Sequence, residues 1–401
     1  MARLAMLGHP AAGHINPTLP VIAELVRRGE RVTYYATEPF RARIEATGAK
    51  YRCYGTQEAF ERNLAQGGML GGMAGLMETT EELLPELLEQ LAAERIDYLA
   101  LEAHALWGNL AAQRLGKPAA TLCAMFAVNR ELLPARELAA HLYGGAPAAA
   151  ALEGLRGLTR YVETARRVDR AYGVNSPDMI NYLGNRQRLN IVLTAREFQV
   201  GGESFDPSYE FVGATALEPP AETFAWPGQN GQRRVLIALG TMYNDAPEFY
   251  RHCCDAFGGG EYAVVMAVGE RMDPRHWPAA PPGFQIQAFV PQRAALAGAD
   301  LFLTHGGINS AHEAMLAGVP MLVLPSQADH YIVAQQVGAV GAGVVLERRR
   351  ADAATLRAAA IQVLGEPACR QSSARMGEYL RAGGGARRAA DHLLAFRGTA
   401  A

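Results

Sequence analysis

Residues 289–313 read FVPQRAALAGADLFLTHGGINSAHE, and residues 314–330 continue AMLAGVPMLVLPSQADH. The apolar run Ala299–Thr304 predicts a buried strand of a parallel sheet. It stops at His305-Gly306-Gly307, and a helical pattern follows with Asn309 and Ser310 in its first turn and Glu313 further along. Strand, glycine-rich turn and helix start together aim backbone N–H groups and a positive dipole end at an anion. The two glycines let phosphate oxygens approach the main chain, and His305 can donate a hydrogen bond to one of them. Glu313 lies about one helical turn past that anion, where a carboxylate accepts from two neighbouring hydroxyls. A phosphate beside a vicinal diol describes a nucleotide.

The same series extends to either side. Arg234–Leu239 reads as a strand ending in Gly240-Thr241, followed by helix Pro247–Phe257 and strands Ala263–Val268 and Gln285–Phe289. Beyond the quoted stretch come Val344–Leu346 and the helices Asp352–Leu364 and Ala386–Phe396. Upstream, Ala214–Gln232 holds Pro219, Pro220 and Pro227 with little periodicity, the clearest domain boundary in the chain. Before it lies a second α/β region. Arg3–Gly8 is a strand, His9–Asn16 a loop, and Pro17 suits the first turn of the next helix. Arg31–Ala36, Tyr51–Tyr54 and the buried run from Asp97 to Glu102 are further strands. Alternation of this kind predicts parallel, doubly wound sheets, which bind ligands at the carboxyl ends of their strands. The loop His9–Asn16 stands at such an end. Its residues alone leave His14 open between a base and a helix-capping histidine.

Composition narrows the class. The 401 residues suffice for two domains, and a formal net charge of −2 argues against general nucleic-acid binding. Lys50 and Lys117 are the only lysines, and Arg348–Arg350 reads as a solvated loop. The cysteines Cys53, Cys123, Cys253, Cys254 and Cys369 are scattered without a metal-ligand spacing, which suits a reducing cytoplasm. No signal peptide or membrane-length apolar run is visible, and no DxD-type acidic cluster is present. Gly67-Gly68, Gly71-Gly72 and Gly75, with Met69, Met73 and Met77 among them, interrupt a helical region over 56–93 and read either as an adaptable wall or as a mobile loop.

Pro291-Gln292, His305, Gly307, Asn309-Ser310, Glu313, Gly318, Pro320, Pro325 and Asp329 occur in the order of a known signature. The stretch resembles the donor-binding signature of the family 1 nucleotide-sugar glycosyltransferases, whose GT-B fold has two facing Rossmann-like α/β domains. The spacing from Phe289 to His305 resembles the bacterial macrolide-glycosyltransferase branch. One departure stands out: the family commonly closes the signature with Asp/Glu-Gln, and this chain has Asp329-His330.

The resemblance implies roles. Gly13-His14-Ile15-Asn16-Pro17 matches the family's general-base loop, so His14 would deprotonate an acceptor hydroxyl. The family orients that histidine with an aspartate; here the position holds Glu102, longer by about 1.5 Å. His104 lines the same region or the surface, and His9 is a weaker candidate for the base. Phe289 would stack on the base where tryptophan is commoner, with Val290 and Gln292 at the base and ribose. Thr241, His305, Gly306, Gly307, Asn309 and Ser310 would hold the diphosphate, Glu313 the ribose, and Asp329 and His330 the sugar hydroxyls. Trp107, Phe126, Leu132 and Met69 would contact the acceptor.

These expectations divide the chain into an acceptor domain over 1–213, a linker over 214–232, a donor domain over 233–382 and a terminal helix over 383–401 that crosses back to the first domain. They imply an inverting transferase moving glucose from UDP-glucose to a hydroxyl of a hydrophobic macrolide, polyketide or phenolic. No metal is expected, because a helix dipole can substitute for one at the departing diphosphate. Alternatives are a dTDP-deoxysugar or UDP-N-acetylglucosamine donor, a nucleotide-sugar epimerase, or a non-catalytic partner protein.

Overall fold

The structure, a computed structural model, describes all residues except Met1, 65–67, 130–147, 221, 230, 241–243, 271, 273–279, 327 and 400–401. The chain forms two compact units, Met1–Ala216 with Gly383–Ala401, and Leu217–Ala382. The proline-rich stretch before residue 233 thus counts with the second unit, where Arg234 lies over the Trp226 ring.

The first unit is built on a parallel sheet. Its strands are β1 (Arg3–Leu7), β2 (Arg31–Ala36), β3 (Lys50–Cys53), β4 (Tyr98–Glu102), β5 (Ala119–Cys123), β6 (Leu189–Val192) and β7 (Tyr209–Phe211). Their order is β3-β2-β1-β4-β5-β6-β7, every pair parallel. The central strands β4 and β5 are buried along their whole length, because helices cover both faces and leave no polar side. One face packs Leu7, Leu99 and Leu101 against Met73, Met77 and Trp107. The other packs Leu4 and Met6 against Ile22 and Leu25, and Ala390, Leu393 and Phe396 of the last helix, Gly385–Thr399, join that core.

Two readings of this unit are corrected. The first helix spans Ala12–Arg27 and begins before Pro17, so His14 lies in its first turn rather than in a loop. Ala11, extended and without a side-chain cap, starts it; Pro17 and Pro20 sit inside, each omitting one i→i−4 bond. Gly67 lies outside the described residues; from Gly68 on, the glycine-rich segment belongs to one continuous helix, Gly68–Glu94, and is not a loop. It packs on the helix Ala148–Tyr172 so closely that a Cβ on Gly157 would lie 2.9 Å from the Leu70 carbonyl. Beyond β5, Met125–Asn129 form no helix. There the Gln199 side chain takes both the N–H and the carbonyl of Ala127, and Asn129 bonds Ser204.

The second unit repeats the plan. Strands β8 (Arg233–Ala238), β9 (Tyr262–Ala267), β10 (Phe284–Gln287), β11 (Leu301–Thr304), β12 (Met321–Val323) and β13 (Gly343–Val345) form a parallel sheet in the order β10-β9-β8-β11-β12-β13. In both sheets the strand order reverses beside the first strand of the unit, between β1 and β4 and between β8 and β11. Loops leaving the carboxyl ends there diverge and open a crevice, the ligand position of doubly wound sheets. No helix among the described residues is long and apolar enough to cross a membrane.

Candidate active site

The switch point of the first sheet gathers His9, His14, Glu102 and His104. Strand β1 delivers His9; the helix it feeds delivers His14; β4 ends at Glu102. Gly8 lies so close to Tyr34 that a Cβ would sit 2.7 Å from its ring, so only glycine lets the turn lie against β2 here. His14 Nδ1 is 2.8 Å from Glu102 Oε1. The longer glutamate is accommodated by folding back: its other oxygen, Oε2, accepts from the main-chain N–H of His104 at 2.8 Å. Asp97, at the opposite end of the strand, accepts from the N–H of Arg3 instead.

Glu102 is fully buried. Burial raises its pKa, but the adjacent His14 and His104 outweigh burial and hold the carboxyl well below its usual range. An ionised carboxylate only accepts, so the proton of the shared hydrogen bond belongs to His14 Nδ1. In the neutral ring the lone pair is then on Nε2, the atom that takes a proton in base catalysis. His9 is driven well below its ordinary pKa, by burial first and then by repulsion from His14, with Glu102 opposing. Its ring stands 4.8 Å from that of His14.

Trp107 stacks behind His9 and has no exposed surface, so it belongs to the core and not to an acceptor wall. Packing against Leu7 and Leu101 at the helix Leu106–Leu115 explains that burial. Phe126 is partly buried against Phe198. Leu132 lies outside the described residues. Met69 falls within the helix Gly68–Glu94.

At the corresponding point of the second sheet, β11 ends at Thr304, and Gly307 caps the helix Ile308–Leu316 without a side-chain acceptor. Gly306 has φ +88°, and a Cβ there would lie 2.9 Å from Val323. The His305 ring is wedged between two glycines: a Cβ on Gly240 would lie 2.7 Å from its Cε1, and one on Gly307 would lie 2.6 Å from its Nε2. Burial, reinforced by His330, lowers the pKa of His305 to about 3, although a hydrogen bond to the Ala238 carbonyl opposes the shift. The ring is therefore neutral at physiological pH, with a single N–H.

Gln292 opens the short helix Gln292–Leu296 and donates to Glu313 Oε2 at 2.7 Å and to Ser310 Oγ at 3.1 Å. Burial raises the Glu313 pKa, while Gln292 opposes it. Phe289 is 77% exposed, a flat apolar face presented outward, whereas the neighbouring Val290 side chain is buried and can meet a ligand only through its main chain. Asn309 follows Gly307 in the first turn of the helix. Thr241 lies outside the described residues.

His330, the residue at which the signature departs from the family, lies beside His305. It is buried, with its ring 4.4 Å from that of His305 and its Nδ1 3.1 Å from Ser326 Oγ. It packs beside His305, with its Nε2 3.7 Å from Oδ2 of Asp329, whose side chain is 46% exposed. Sequence reasoning overlooked Ser326, and only the fold links it to His330. It left His104 undecided, although a histidine two residues beyond a buried carboxylate at a strand end is a signal of contact.

The comparisons agree with this geometry. Residues 254–391 match the family described as Erythromycin biosynthesis protein CIII-like, C-terminal domain. The NDP-glycosyltransferase YjiC of Bacillus licheniformis is 34% identical over 98% of this chain and 97% of its own length. The oleandomycin glycosyltransferase of Streptomyces antibioticus is 28% identical, covering 98% and 90%. Among solved structures, the glycosyltransferase of kitacinnamycin superposes with a TM-score of 0.85 at 26% identity, over 98% of each chain. With two Rossmann-like sheets whose switch points carry the signature residues, and with relatedness along its whole length, this chain belongs to the nucleotide-sugar-dependent glycosyltransferases of the GT-B fold.

Proposed function

We infer that the protein transfers glucose from UDP-glucose, with inversion, to a hydroxyl of a hydrophobic macrolide, polyketide or phenolic. The observation that carries this reading is the His14–Glu102 contact at 2.8 Å, at the switch point of the first sheet. His14 Nε2 takes the hydroxyl proton as the acceptor oxygen attacks the anomeric carbon. The bond from that carbon to the diphosphate breaks, and UDP leaves with the electron pair. Ionised Glu102 fixes the ring and stabilises the imidazolium that forms.

The second unit supports the donor half of the proposal. Phe289 stacks on the base, Gln292 and Glu313 exchange their mutual hydrogen bond for the ribose hydroxyls, and the start of the helix Ile308–Leu316 with His305 and Thr241 receives the diphosphate. The helix start supplies positive potential without a metal, so transfer persists in EDTA. Asp329 meets the sugar hydroxyls. A second reading concerns the donor only: with His330 turned inward, the sugar position lacks the amide that a glutamine would bring, which favours testing dTDP-deoxysugars and UDP-N-acetylglucosamine.

Purified protein is incubated with a mixed acceptor library and each donor in turn, and products are read by mass spectrometry. Hexose addition from UDP-glucose is the expected result. A product only with another donor overturns the glucose assignment, and sugar epimerisation without acceptor overturns transfer.

A further inference from the structure

We propose that His14, Glu102 and His104 form a site for a divalent transition-metal ion of the zinc class, and that its occupation silences the base. The three side chains each offer one ligand atom, and these atoms lie within 4.8 Å of one another. Two imidazole nitrogens and a carboxylate oxygen are a donor set suited to zinc, while magnesium and calcium prefer oxygen alone. Ligands around tetrahedral zinc stand about 3.3 Å apart for bonds of about 2.0 Å. Modest rotations of His14 and His104 therefore close the set. Their side chains are 18% and 28% exposed, which gives an ion a way in.

The unused donors point the same way. Among the described residues His104 Nδ1 has no hydrogen-bond partner, and it lies 3.6 Å from Glu102 Oε2. His9 is 5% exposed, and its buried Nδ1 likewise has no hydrogen-bond partner among the described residues. Its ring is 4.8 Å from that of His14 and 5.8 Å from that of His104. A buried ring nitrogen without a partner is costly. Here two such nitrogens surround a buried carboxylate whose hydrogen bonds come from His14 and from the main chain of His104. A dication held by His14, Glu102 and His104 gives His104 Nδ1 a partner and neutralises the carboxylate.

Silencing follows from the ring chemistry. The ion takes the lone pair of His14 Nδ1, and the proton displaced from that atom is regained at Nε2 from solvent. His14 stays neutral and no net proton is released, but Nε2 now bears a hydrogen and can no longer accept one. This consequence rests on the transferase reading above; the binding site does not.

Equilibrium dialysis of the full chain against zinc chloride, with bound metal quantified, tests the site directly. One zinc per chain is expected at micromolar free ion, with no magnesium bound at the same concentration. His104→Ala and His14→Gln each weaken binding at least tenfold while circular dichroism stays unchanged; His104→Gln replaces the alanine variant if that one unfolds. Cobalt(II) bound to the full chain gives the visible absorption of a tetrahedral centre. Failure to bind zinc, or undiminished binding in both histidine variants, overturns the proposal. In the activity arm, zinc abolishes glycosyl transfer and EDTA restores it. Binding of zinc by a chain that transfers no sugar from any donor defeats the functional reading and leaves the site standing; transfer without zinc binding does the reverse.

Discussion

Glu102 grips His14 with one carboxylate oxygen and the main chain of His104 with the other, both at 2.8 Å. The side chain is thus stretched between two fixed points. Shortening it to aspartate removes about 1.5 Å, so one contact must open. Glu102→Asp is expected to lower kcat at least tenfold with little change in KM for the donor. Glu102→Gln keeps the length but loses the charge, and kcat falls further, by roughly 10²-fold. Steady-state kinetics of the two variants decide the matter; a faster aspartate variant shows that the glutamate is a poor substitute.

His14→Ala removes the proposed base. A loss of roughly 10²–10⁴-fold in kcat is expected, with UDP binding unchanged by calorimetry, since the residues proposed to hold the nucleotide belong to the other unit. Near-full activity removes His14 from the reaction.

The wedge around His305 gives a steric test. Gly307 has an ordinary helical-entry φ of −65°, so Gly307→Ala adds no backbone strain and only pushes a methyl into the ring. Overpacking of this kind costs about 1–3 kcal/mol. His305 is expected to shift, and UDP affinity to fall at least fivefold in calorimetry, while the far-ultraviolet circular dichroism stays that of the parent. Gly240→Ala, with φ +80° as well as the clash, is worse in both affinity and thermal stability.

Acid sensitivity follows from the buried histidines. Burial lowers His305 and His312 to about 3 each, so between that value and the unfolded pKa near 6.5 the unfolded chain binds protons that the folded one refuses. Stability therefore rises with pH across that window. It falls on acidification by about 1.4 kcal/mol per pH unit for each histidine, once below pH 6. Denaturant midpoints from pH 7 to pH 4 measure the slope, and His312→Asn flattens it.

Phe289 offers its face at 77% exposure. Stacking contributes about 0.5–1.5 kcal/mol, so Phe289→Ala weakens UDP binding about two- to tenfold and Phe289→Trp tightens it. Calorimetry with UDP and uridine gives the comparison; equal affinities in all three proteins remove Phe289 from the nucleotide site.

The central strands β4, β5, β11 and β12 were legible because they are buried along their length and read as apolar runs, and the carboxyl ends of β1, β4 and β11 located His14, Glu102 and His305. What sequence could not convey depends on packing across the chain. The first helix starts on alanines, which signal no cap, and an internal proline imitates a beginning. The glycines of the Gly68–Glu94 helix look like breaks until a second helix is seen lying against them. His330 matched a sugar-facing position by order alone, and nothing in the sequence signals its ring contact with His305.

The last helix, Gly385–Thr399, buries Leu393 and Phe396 in the core of the first unit, while Arg28 pairs with Asp391 and Arg397 with Glu30. Chain start and chain end therefore share one body, and residues 217–382 are a cassette spliced into it. A graft that exchanges donor preference needs two crossovers, near 216 and near 383. A chimera made with a single crossover would trade away part of the recipient's own hydrophobic centre.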